Sequence, residues 1–165
     1  MKVPSPKADA ARTAKIADEA TEPDDIAMRL RFSLALAIRH PNMDPNGITR
    51  ALGREPYQAW RAGEPRRTPS GHPMPSVGRE SYWVWRTEIA GERNFFAALM
   101  AEVDWLEVHA AMLAGIVAEG GRIVLSLALP GDVNIGATLP HDAVRRLATL
   151  PIGLGVEVFP DMDTE

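Results

Sequence analysis

Hydrophobic and polar residues alternate without interruption over residues 28–39. Met28, Leu30, Phe32, Leu34, Leu36 and Ile38 fall on one side, and Arg29, Arg31, Ser33, Ala35, Ala37 and Arg39 on the other. A period of two over this length predicts a strand with one buried face. A helix is expected next. Asp44 suits an N-cap, Pro45 the first helical position and Gly53 the stop, with Ile48 and Leu52 on one face.

Strands are expected over Tyr57–Ala62 and Ser81–Ile89. The intervening Gly63–Gly78 contains Pro65, Pro69, Pro73 and Pro75, so it reads as a long loop with extended, polyproline-like pieces. From Asn94 to Glu119, Phe96, Leu99, Val103, Leu106, Ala110, Leu113 and Val117 recur at helical spacing. Gly120-Gly121 ends that helix, and its length suggests a break near Asp104–Glu107. Trp105 and Met112, seven apart, read as core, with an apolar seam for a partner as the alternative.

A strand over Arg122–Leu129, a loop over Pro130–Leu139, a helix over Pro140–Leu150 presenting Val144 and Leu147, and a last strand over Gly153–Phe159 complete the pattern. Leu154, Val156 and Val158 are expected to point inward. The expected fold is α+β, with a mainly antiparallel sheet carrying helices on one face. Residues 31–38 (RFSLALAI) echo residues 122–129 (RIVLSLAL), each followed by loop, helix and strand. Two such halves would form a ferredoxin-like sandwich, or a close variant, by internal duplication.

Residues 1–27 contain too little large aliphatic surface to offset ordering entropy and read as a flexible tail. Residues 28–160 are expected to form one domain, and residues 161–165 a frayed end. Neither a membrane-length apolar run nor a signal-peptide core is present, so a cytoplasmic protein is expected.

The 165 residues include no cysteine, which excludes disulfides, thiolate nucleophiles and Cys-ligated metals. The three lysines, Lys2, Lys7 and Lys15, all lie in the tail. No Schiff-base or phosphate-loop lysine is therefore available to the domain. His40, His72, His109 and His141 lack metal-ligand spacing, and no nucleophile elbow occurs, so no metal, cofactor or catalytic residue is assigned. His40 is expected to order the turn into the first helix.

The formal net charge of −4 is unevenly spread. Residues 29–93 carry eleven arginines against six acids, and residues 94–165 three arginines against ten acids. Arginine suits forked recognition of carboxylate or phosphate rather than proton transfer. It concentrates with aromatics in Trp60-Arg61-Ala62-Gly63-Glu64-Pro65-Arg66-Arg67, closed by Tyr82-Trp83. Trp60, Arg61, Arg66, Arg67, Tyr82 and Trp83 are thus the candidate ligand-binding residues.

The best functional reading is a non-enzymatic binding module, of adaptor or immunity type, that recognises a protein segment or a small anionic ligand. One alternative is a nucleic-acid binder using the basic half, with the aromatics as stacking platforms; the pI of about 5.6 weighs against it. The other is an enzyme with a carboxylate or histidine site, Glu80 and Glu88 being the acids near the loop.

Several stretches resemble a family. They are Arg39-His40-Pro41, Asp44-Pro45, Ile48-Thr49, Leu52-Gly53, Pro56, Trp60-Arg61 with Gly63 and Arg66, and Ser81-Tyr82-Trp83. In this order they resemble the bacterial domain-of-unknown-function family 4279, over roughly residues 29–90. The resemblance implies a small bacterial domain and brings no catalytic assignment with it.

Overall fold

In the computed structural model, which describes residues 31–68, 70–90, 94–131 and 134–159, the first alternating segment is a central strand. β1 (Arg31–His40) buries Phe32, Leu34, Leu36 and Ile38 on one face. It pairs antiparallel with β5 (Ser81–Ala90) on one side and β6 (Arg122–Pro130) on the other. β2 (Gln58–Trp60) extends the sheet beyond β5, and β7 (Gly153–Phe159) lies parallel to β6. The five-stranded order is β2-β5-β1-β6-β7. The tail, the frayed end and residues 28–30 of the expected first strand lie outside the described residues.

Among the described residues are four helices: α1 (Pro45–Leu52), α2 (Phe95–Val108), α3 (Ala110–Ala118) and α4 (His141–Thr149). The fold is α+β with an open, mainly antiparallel sheet. Ile48 and Leu52 of α1, Leu99, Val103 and Leu106 of α2, and Leu113 and Ile116 of α3 form one core with the buried residues of β1 and β6. Leu150, just after α4, joins the same cluster. None of these helices crosses a membrane, since none is long and apolar enough.

Local signals fix α1. The Asp44 carboxylate accepts from the Asn46 N–H at 3.0 Å, and Gly53 takes the left-handed conformation, φ 64°, that ends the helix. His40 orders the turn before it, because its buried Nδ1 accepts from the backbone of Met43 at 2.9 Å and of Asn42 at 3.2 Å.

Four expectations need correction. First, Gly63–Gly78 is not a structureless loop. It folds back as β3 (Pro65–Arg67) and β4 (Pro73–Val77), a two-stranded antiparallel hairpin. The prolines are tolerated because the hairpin is short and its closing bonds come from other residues. Gly63 donates to the Gly78 carbonyl at 2.8 Å, and Thr68 to that of His72 at 2.9 Å.

Second, the long helix breaks at His109 rather than at Asp104–Glu107. The Trp105 ring packs on the His109 ring at this corner, with centroids 4.8 Å apart. Trp105 and Met112 pack partly buried against the core, as the first reading had them.

Third, Leu154, Val156 and Val158 share the side of buried Leu125, Leu127 and Leu129 in the parallel register, yet all three are exposed. They lie on the outermost strand, beyond the helices that cover the neighbouring ones. Fourth, Val144 is exposed, and α4 instead buries Ala143.

Candidate functional site

The face of the sheet opposite the helices carries the basic and aromatic residues. Register places four side chains in one row across four strands: Trp60 on β2, Tyr82 on β5, Arg39 on β1 and Arg122 on β6. Arg66 of the β3–β4 hairpin joins the row at Trp60. Its guanidinium carbon stands 4.3 Å from the indole centroid. Trp60 and Tyr82 stack at 4.4 Å between centroids, and the Arg39 guanidinium covers the Tyr82 ring at 4.5 Å. The result is a ladder of cation, indole, phenol and cation, each contact being of the kind that a ring quadrupole favours.

The ladder is held from beneath. The Trp60 Nε1 donates to the Glu80 carbonyl at 3.1 Å, and the Ala62 N–H donates to the Ser81 hydroxyl at 3.0 Å. Gly78 is needed for space, because a Cβ there would lie 2.5 Å from the Trp60 Cδ1 and 2.8 Å from its Nε1. Burial pushes the Tyr82 hydroxyl above its ordinary pKa, with the charges of Arg39 and Arg66 pulling it the other way.

Charge along the row is unbalanced. Glu80 accepts from Arg39 at 3.0 Å and from Arg122 at 2.9 Å, so one carboxylate serves two guanidiniums. Among the described residues no carboxylate pairs with Arg66, whose Nε is buried without a hydrogen-bond partner. Arg61 and Arg79 are exposed beside the row.

Three of the six residues singled out from sequence, Trp60, Arg66 and Tyr82, meet in this ladder. Arg61 projects exposed at its margin. Arg67 is turned into the hairpin, where it donates to the Gly71 carbonyl at 3.0 Å. Trp83 is elsewhere: it is completely buried on the helix side, and its Nε1 donates to the Thr49 hydroxyl at 3.0 Å. Its indole belongs to the core and offers no surface for stacking. Consecutive residues of a strand face opposite ways, so Tyr82 and Trp83 could not both have joined one surface.

Arg39 and Arg122 were missed as site residues. The signal was present for Arg39, which stands on the polar side of the alternating segment. For Arg122 it required the strand pairing. Glu80, named earlier as a candidate acid, is occupied by two guanidiniums.

The model of the family described as Domain of unknown function (DUF4279) matches residues 29–159, spanning every strand and helix described above. The chain belongs to this family. The DUF4279 match therefore takes in the ladder, the hairpin and the edge strand β7 alike. No curated protein and no solved structure matches the chain.

Proposed function

We propose that this DUF4279 chain is a non-enzymatic binding module. Its arginine–aromatic row recognises a carboxylate-bearing protein segment, in the manner of an adaptor or immunity protein. The observation that carries the reading is Arg66. Among the described residues it has no acidic partner and is held against Trp60, in a row in which Arg39 and Arg122 share one carboxylate. Stacking fixes the guanidinium plane, so little side-chain freedom is lost when its fork meets a carboxylate.

An acidic segment suits the row better than a nucleic acid does. Trp60 is in contact with both Arg66 and Tyr82, and Tyr82 with both Trp60 and Arg39. The rings that would stack on bases are thus already engaged with one another and with arginines.

The fold reading belongs with this proposal. The sheet order β2-β5-β1-β6, traced as strand, helix, two strands, helices and strand, supports a ferredoxin-like sandwich to which α4 and β7 are added. Duplication gains no similar support, because β5 separates β1 from β2 whereas β6 and β7 are direct neighbours.

The test is a titration of the wild-type protein, followed by intrinsic tryptophan fluorescence, with a glutamate-rich peptide, a lysine-rich peptide and a single-stranded oligonucleotide at low and physiological salt. Saturable binding of the acidic peptide alone is expected. Binding of the oligonucleotide alone, with affinity falling steeply with salt, would replace this reading with the nucleic-acid one.

A further inference from the structure

The two edges of the five-stranded sheet are built differently. β2 is three residues long, and the β3–β4 hairpin stands beside it, with the Gln58 side-chain amide donating to the Arg67 carbonyl at 2.8 Å. β7 is seven residues long and contains no lysine and no proline, with Glu157 as its only charge. Short length, lysines, prolines and covering loops are the means by which edge strands are kept from pairing. β2 has two of them. Among the described residues, β7 has only the single charge of Glu157, turned to the other face, and pairs only with β6.

Backbone parity determines what β7 offers. Its register with β6 is parallel, Pro130 lies opposite Phe159, and the Gly131 N–H donates to the Phe159 carbonyl at 2.6 Å. Phe159, Glu157, Gly155 and Gly153 therefore turn their backbone groups toward β6. Leu154, Val156 and Val158 turn theirs to the open edge. These same three residues are 42%, 57% and 62% exposed, their side chains in line with the buried leucines of β6. Free backbone pairs and bare aliphatic side chains thus coincide on alternate residues of one strand.

We propose that β7 pairs antiparallel with β7 of a second copy of this chain, about a twofold axis through Val156, joining the two sheets into one. The register follows from the sequence GLGVEVF. Outward-turned residues must meet outward-turned residues, which sets Val156 opposite Val156 and Leu154 opposite Val158, two backbone bonds in each of the three pairs. On the other face Gly155 meets Glu157 and Gly153 meets Phe159, so each large side chain lies over a glycine. A twofold axis through Glu157 would oppose two like charges directly. One through Gly155 would set Val158 opposite Ile152, outside the strand. Only the Val156 axis overlaps the strand along its whole length. The axis is perpendicular to the sheet, so both arginine–aromatic rows face the same way. The pairing does not depend on what those rows bind.

The full chain is examined by sedimentation equilibrium over a range of concentrations. A dimer is expected. Val156→Pro is expected to be monomeric with an unchanged circular dichroism spectrum, because the N–H it removes points to the edge and makes no bond among the described residues. Val156→Lys, which keeps the backbone and charges the seam, is expected to be monomeric as well, and it decides the matter if the proline variant misfolds. The chain has no cysteine, so Val156→Cys provides a single attachment point. A short bis-maleimide is expected to join two copies at 156 but not at 108 in Val108→Cys, where the residue is 80% exposed. A monomeric wild type, a dimer that persists in folded Val156→Lys, or equal cross-linking at both positions would overturn the proposal.

Discussion

Replacing Arg66 with methionine separates a side chain retained for binding from one that supports the fold. In the wild type, Arg66 gains a cation–π contact at 4.3 Å from the Trp60 centroid, worth about 0.5–2 kcal/mol between two half-buried groups. Against this stands a buried Nε without a partner, a type of defect that costs about 1–3 kcal/mol. Methionine keeps a flexible apolar stem over the indole, with a sulfur–aromatic contact of about 0.3–1.5 kcal/mol, and removes the unsatisfied donor. The opposing terms predict that Arg66→Met is neutral to within about 1 kcal/mol, or more stable than the wild type. Leu36→Ala sets the scale. Leu36 is 1% exposed in the centre of β1, and the cavity should cost about 2–5 kcal/mol. Urea denaturation of both variants and the wild type, compared at constant slope, gives the answer. A loss of about 2 kcal/mol or more for Arg66→Met, comparable to a core truncation, would make the arginine part of the scaffold and remove the main support for binding.

Gly78→Ala is expected to destabilise by about 1–3 kcal/mol and to shift tryptophan fluorescence, since the new methyl would collide with the Trp60 indole. Normal stability and an unchanged spectrum would show that the indole has room to move. A pH prediction comes from the α2–α4 contact, where Arg146 donates to both Glu107 oxygens, at 2.9 and 2.8 Å, and also to Asp104. The hydrogen bond from Arg146 holds the Glu107 carboxyl below its ordinary value of 4.5. The folded chain therefore binds this proton less readily than the unfolded chain, so the contribution is present above about pH 4.5 and is lost as pH falls through the lower folded value. Glu107→Gln should flatten the acid limb of the stability–pH curve, its difference from the wild type being small, as befits a solvent-exposed pair, present at neutral pH and vanishing below the folded value. An acid limb of the same steepness in both proteins would contradict that assignment.

How much of this was legible in the sequence depended on whether local chemistry or distant covering decided the outcome. β1 was readable because a central strand with helices on one face has to alternate. The start and end of α1 were readable because Asp44, Pro45 and Gly53 act within a few residues of themselves. The β3–β4 hairpin was hidden because its prolines mimic a loop, while the bonds that close it come from Gly63, Thr68 and Gly78. In β7 the alternation correctly placed Leu154, Val156 and Val158 on the core side. No periodicity reveals that this strand is the last in the sheet and lies beyond the helices. The candidate site divides in the same way. Trp60, Arg66 and Tyr82 stood out by composition. Arg122 reached the row only through the pairing of β6 with β1, and Trp83 left it through the parity of β5.

The most direct test of the binding reading is the dissociation constant of a glutamate-rich peptide for the wild type and for Arg66→Met, both shown to be folded by circular dichroism. Loss of a charged hydrogen-bonded contact, about 1.5–3 kcal/mol, should weaken binding about tenfold or more in the variant. Equal dissociation constants, or no measurable binding to either protein, would contradict a role for the arginine–aromatic row in recognising carboxylates.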